Sequence, residues 1–176
     1  HLDFAAIEDA HDIRLKIKAH KGLHGDALDG RDLKLGPGGI REIEFFTQTR
    51  QLIAGGRDTS LRARDTTSAL GALSEAGWID DGLAETLAQE YWAHREAEHR
   101  LQMLQDRQTH QLPNAPEAWD RLARFSGSSD TSAFKGQLVD RLTRVASGTE
   151  GFFAPGQSRD PAPIPDWALE TVSRWP

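Results

Sequence analysis

Apolar residues recur along most of this chain at intervals of three and four, the spacing of helices that bury one face. Behind a capping Asp3, the stripe Ala6, Ala10, Ile13 and Ile17 predicts a helix over 3–22, ending at Gly22. Ile43, Phe46 and Ile53 mark a second helix that starts at Gly39 or Ile40 and stops at Gly55-Gly56. Asp65, Thr66 and Thr67 cap a short third helix through Leu70 and Leu73, closed by Gly77 and covered by Trp78 and Ile79. Asp80 or Asp81 opens a long fourth helix, with Leu83, Leu87, Tyr91, His94, Glu98, Leu101 and Leu104 on one stripe towards Gln108. Pro113 must lie beyond its end, because proline removes a helical donor and clashes with the preceding turn. Pro116 begins a fifth helix that Gly127 stops, and a sixth near Asp130 carries Phe134, Leu138, Leu142 and Val145. The pattern predicts an all-α bundle of five to six helices over residues 1–153, with one long central helix. Residues 154–176 begin with four prolines between Pro155 and Pro165, which predicts a Pro-rich linker followed by the start of another segment.

Composition agrees with the helical reading, since the chain has a single tyrosine, few valines and much alanine, leucine, arginine and glutamate. A formal charge of −6 supplies no basic field for nucleic-acid phosphates, so no nucleic-acid partner is expected. The absence of cysteine fits a reducing compartment, and no run is apolar enough to span a bilayer, so a cytoplasmic, membrane-free protein is expected. His1 and the abrupt ending at Pro176 suggest a piece of a larger protein.

The helical pattern breaks over 23–39, where five glycines and a proline surround Leu33-Lys34-Leu35. This Gly-rich loop cannot be helical, and it leaves room for a short extended piece. Its end, Lys34-Leu35-Gly36-Pro37-Gly38-Gly39-Ile40-Arg41, is a glycine-dense turn feeding a helix N-terminus, with a cation on each side. Such a turn can present backbone N–H groups to an anion, with phosphate the natural candidate. On spacing alone, a tight turn needing positive φ at Gly38 or Gly39 and close packing is an equal alternative. The second helix adds a polar stripe, Arg41, Glu44, Gln48 and Gln51, where a core helix should be apolar. That polar stripe borders a cleft and not the core, or else Arg41 and Glu44 pair across one helical turn on a solvated face.

The wording of residues 32–45, Asp-Leu-Lys-Leu-Gly-Pro-Gly-Gly-Ile-Arg-Glu-Ile-Glu-Phe, resembles the glutamine synthetase adenylyltransferase/deadenylylase family just downstream of its nucleotidyltransferase fold. Its core is also similar to the uridylyltransferase of the PII signalling protein. The resemblance extends back to Leu2-Asp3 and forward through Gln51-Leu52-Ile53, Glu98-His99-Arg100-Leu101-Gln102, Gln108-Thr109-His110 and Leu112-Pro113, about three quarters of the chain. It implies a parent enzyme with two nucleotidyltransferase halves, one removing AMP from glutamine synthetase by phosphorolysis and the other attaching it, each followed by a helical segment like this one. The Arg41-Glu42 pair is similar to the segment after the AMP-removing half. Magnesium, ATP, ADP or phosphate, glutamine synthetase and a PII-type protein are the implied cofactors and partners of the parent. None of these ligands is expected to be held by this chain alone.

The family's metal-binding signature, Gly-Ser followed by Asp-x-Asp on a strand, is absent. Gly127-Ser128-Ser129-Asp130 imitates only its opening, and Asp130 reads as a helix cap. No catalytic residue is therefore carried over. The resemblance implies supporting roles at the phosphates for Lys34, Arg41, Glu44 and the amides of Gly38 and Gly39. Glu98 is expected to pair with Arg95 or with a cation from another element, and His94 with Glu98 lacks the third ligand a metal needs. Thr109-His110 reads as a helix stop, and Trp78, Trp92 and Trp119 as core or interhelical contacts. A second reading makes the bundle a docking or linker element for a PII-type protein or between the catalytic halves, which requires an exposed apolar patch near Trp78 or Phe152-Phe153.

Overall fold

A computed structural model describes residues 28–153. The helix expected over 3–22 and the linker expected over 154–176 lie outside the described residues. Within them the regular elements are all helices: α1 (Ile40–Ala54), a short 3-10 turn (Thr59–Leu61), α2 (Thr66–Glu75), α3 (Asp81–Gln105), α4 (Pro116–Phe125) and α5 (Thr131–Phe153). None of these helices is long and apolar enough to cross a membrane.

Local chemistry sets most boundaries. Asp65 accepts from Ser68 N–H at 2.8 Å, Asp80 from Leu83 N–H at 3.2 Å and Asp130 from Ala133 N–H at 2.9 Å, so three aspartates satisfy amides that a helix start leaves without partners. Gly77, at φ +73°, lets Trp78 N–H turn back to Leu73 O and end α2. The long helix ends earlier than its sequence pattern suggested. Asp106 adopts a left-handed conformation at φ 47° and closes α3 after Gln105, a place glycine usually fills and aspartate tolerates.

α3 is 25 residues long, roughly 37 Å at 1.5 Å per residue, and it runs between two apolar clusters. Ile43, Phe46, Leu61, Leu70, Leu73 and Leu87 build the first, against Val145 of α5. Leu33, Leu101, Leu112, Trp119, Leu138 and Leu142 build the second. Between Leu87 and Ala97 the buried positions of α3 are polar: Glu90 and His94, with Glu98 one step further on. A seam of buried polar groups thus separates the two clusters, and the Gly-rich loop sits on it. The short extended piece expected around Leu33 is a single antiparallel bridge, Asp32 to Gln111, flanked by Leu33 N–H to His110 O at 2.8 Å and Leu112 N–H to Arg31 O at 2.8 Å.

Three expected core contacts are corrected. Trp119 is buried, but Trp92 is 63% exposed and Trp78 42% exposed, because the positions facing the interior at those points are taken by His94 and Ile79. Leu104 is 41% exposed, one turn from the helix end and beyond the last layer of the second cluster.

Candidate functional site

The Gly-rich loop folds onto itself before it meets anything else. Asp32 Oδ1 accepts from the amides of Lys34 (2.9 Å) and Leu35 (2.8 Å), reversing the chain. Gly36 N–H then donates to Asp32 O and Gly39 N–H to Gly36 O. The first amides of α1 are also taken: Ile40 N–H by Leu33 O, Arg41 N–H by Lys34 O and Glu42 N–H by Gly39 O. Gly38 N–H donates to Glu42 Oε2 at 3.0 Å. The amides of Gly38 and Gly39, expected from the sequence to face phosphate, are therefore turned into the loop's own bonds. The anion drawn to this helix N-terminus is the carboxylate of Glu42, from the third helical position.

Both glycines have a steric reason. Gly38 sits at φ +73°, and a Cβ there would lie 2.0 Å from Leu142 O on α5. A Cβ on Gly39 would lie 2.4 Å from Leu33 O. The tight-turn reading of the motif thus accounts for its glycines, and the loop is pressed directly against the α5 backbone.

Three buried side chains fix the loop from beneath. Glu42 also accepts from the Thr149 hydroxyl at 2.7 Å, linking α1 to α5. His94 Nε2 lies 3.1 Å from Gly38 O, and since a carbonyl can only accept, Nε2 carries the proton. Burial pushes the His94 imidazole down from 6.5 to about 4, partly opposed by the charge of Glu90 and the Gly38 carbonyl, so the ring is neutral at neutral pH. Its Nδ1 has no hydrogen-bond partner among the described residues. Apart from its place in the Arg41-Glu42 pair, Glu42 is unmarked by the apolar pattern, although an acid three places into a helix after a glycine turn is a capping signal, and His94 stands out there only as a stripe residue or an incomplete metal ligand set.

Arg41 points the other way, and Lys34 is partly exposed beside a buried carboxylate. Lys34 and Arg41 have 27% and 61% of their side chains exposed. Arg41 pairs with Glu44 at 3.2 Å across one helical turn, the alternative that its spacing allowed. The rest of the polar stripe does not continue as one surface. Gln48 is exposed, whereas Gln51 Nε2 donates to Leu61 O (2.7 Å) and Ala63 O (2.9 Å) and pins the segment after α1. Lys34 Nζ lies 3.8 Å from Glu98 Oε1, and Glu98 also meets Arg95 at 2.7 Å, the pairing expected within α3. His110, expected only to stop a helix, lies beside the same carboxylate. Asp130 is the cap of α5, as its position suggested.

Comparisons with known proteins agree with this loop's wording. The family model described as GlnD PII-uridylyltransferase matches residues 11–154. Bifunctional glutamine synthetase adenylyltransferase/adenylyl-removing enzymes are similar to the chain: that of Rhizobium meliloti (strain 1021) is 45% identical over 99% of this chain and 19% of its own length. Those of Agrobacterium fabrum and Brucella melitensis biotype 1 are 52% and 53% identical, over 82% and 76% of this chain and 15% and 14% of their own lengths. The chain spans less than a fifth of the curated relatives it matches. With the family model covering most of the chain, and relatives of about half-identical sequence carrying the same segment, this chain belongs to the GlnD PII-uridylyltransferase family, beside the bifunctional glutamine synthetase adenylyltransferase/adenylyl-removing enzymes.

Proposed function

We propose that this chain is the helical segment supporting the nucleotidyltransferase active site of an enzyme that removes AMP from glutamine synthetase, and in its other half adds it. The Arg41-Glu42 pair favours the AMP-removing side. The observation that carries the reading is the two-sidedness of the Gly-rich loop: its backbone is locked inward by Glu42, His94 and α5, and its two cations, Lys34 and Arg41, reach solvent. A rigid mount for exposed cations suits the stabilisation of phosphate oxygens, because such charges act best when they need not reorganise. The role of Gly38 and Gly39 is to shape that mount, and Glu44 sets the direction of Arg41.

The described residues bring no three His, Cys, Asp or Glu side chains together in a metal-binding arrangement. Divalent metal and the ATP, ADP or phosphate of the reaction are assigned to a site completed by a neighbouring nucleotidyltransferase domain, in a cytoplasmic enzyme. In the full-length enzyme, Lys34→Ala or Arg41→Ala should slow phosphorolytic removal of AMP by about tenfold or more while the variants remain folded. Unchanged rates in folded variants would remove the role.

The exposure of Trp78 and Trp92 favours a second reading, in which the bundle docks a PII-type protein or relays conformational change between catalytic halves. Trp92→Ser should then weaken the response to the PII-type protein and leave the basal rate of AMP removal intact.

A further inference from the structure

Glu98 has 2% of its side chain exposed, and three basic groups from different parts of the chain converge on it. Arg95, one turn earlier on α3, places Nη1 2.7 Å from Oε2. His110, beyond the end of α3, places Nδ1 2.5 Å from Oε1, and Lys34 from the Gly-rich loop places Nζ 3.8 Å from the same oxygen. Lys34, Arg95 and His110 are each about a third exposed, at 27%, 31% and 32% of the side chain. Each has one side towards the buried carboxylate and another towards solvent.

The charges do not balance. One carboxylate faces a permanent guanidinium, an ammonium and an imidazole, so the cluster presents surplus positive charge outward. The spacing between Lys34 and His110 is set by backbone as well: Leu33 N–H donates to His110 O at 2.8 Å, beside the Asp32 to Gln111 bridge.

We propose that Lys34, Arg95 and His110 form one binding group for a phosphate group, with Glu98 as the positioning residue that holds the three at their spacing. This rests on the function proposed above and adds two residues from outside the Gly-rich motif. Converging basic donors match the several acceptor oxygens of a phosphate, whether it arrives as the inorganic ion or on a nucleotide. Glu98 lies beneath the group and does not touch the ligand.

The test uses the full-length enzyme, with AMP removal measured against inorganic phosphate and ADP binding measured by calorimetry. Arg95→Ala and His110→Gln, both substitutions at partly exposed positions, should, like Lys34→Ala, each raise the KM for phosphate about tenfold, with kcat changed far less. Weakened ADP binding at constant phosphate KM would instead assign the group to a nucleotide phosphate, still supporting the proposal. An effect of Lys34→Ala alone overturns the group and leaves the functional reading standing; no effect of any of the three overturns the group, and the functional reading falls with it when Arg41→Ala is also without effect. Glu98→Gln should raise the same KM and Glu98→Asp should recover most of it. A Glu98→Gln enzyme that melts lower but binds phosphate and ADP normally overturns the positioning role.

Discussion

The apolar cluster around Leu70, Leu73 and Leu87 and the polar seam around Gly38, His94 and Glu98 lie along the same helix but are held by different physics. The cluster is non-directional: any side chains of fitting volume fill it, and its contribution scales with buried area. The seam is directional. Each of its members has a particular partner, and Gly38 alone meets Glu42, His94 and the α5 backbone. A bundle needs only the first kind of region to fold, so the second marks where the chain holds something in place.

Substitutions can sharpen that contrast. The largest effect should come from Gly38→Ala, which adds a Cβ 2.0 Å from Leu142 O at a left-handed φ; a loss of about 4 kcal/mol or more is expected in denaturant titration. Gly77→Ala, at the same φ of +73° but with nothing within 4 Å of its Cβ, isolates the conformational part and should cost only about 1 kcal/mol. Next comes Leu87→Ala in the apolar cluster, about 3 kcal/mol by the same method.

The seam should also respond to pH where the cluster does not. Well above pH 6.5 the His94 ring is neutral in both folded and unfolded chains. Between 6.5 and about 4 the unfolded chain takes up a proton that the buried ring refuses, so stability falls as pH drops through that window. At about 1.4 kcal/mol per pH unit the loss reaches roughly 3 kcal/mol. His94→Gln, whose amide can still donate to Gly38 O, should flatten that slope in thermal melts from pH 7 to 4; an unaltered slope would assign it to other groups. The smallest effect belongs to Arg41→Ala. Its pair with Glu44 is solvent-exposed, so stability should move by less than about 0.5 kcal/mol, keeping any kinetic effect separable from folding.

The same division explains what could be read from the sequence. Helices announced themselves through local signals: Asp65, Asp80 and Asp130 as caps, Gly77 and Gly127 as stops, and apolar stripes between them. Lys34 and Arg41 stand out as candidates because they flank a distinctive run of glycines. The grip on that loop was not legible, since it depends on pairs far apart in sequence: His94 with Gly38, 56 positions away, and Thr149 with Glu42, 107 positions away. No periodicity encodes such partners. The loop's amides were misjudged for the same reason, because their acceptors become visible only when the turn is closed. Trp92 was misplaced because hydrophobicity alone does not say which of two adjacent stripes on α3 faces inward.

The bond from Thr149 to Glu42 gives α5 a reach that its place in the sequence does not suggest. Thr149 is fully buried, and its hydroxyl is one of the partners that orient the carboxylate holding Gly38 N–H. Two hydrogen bonds therefore connect α5 to the turn that carries Lys34. A shift of α5 along the bundle would be passed to the seat of that lysine.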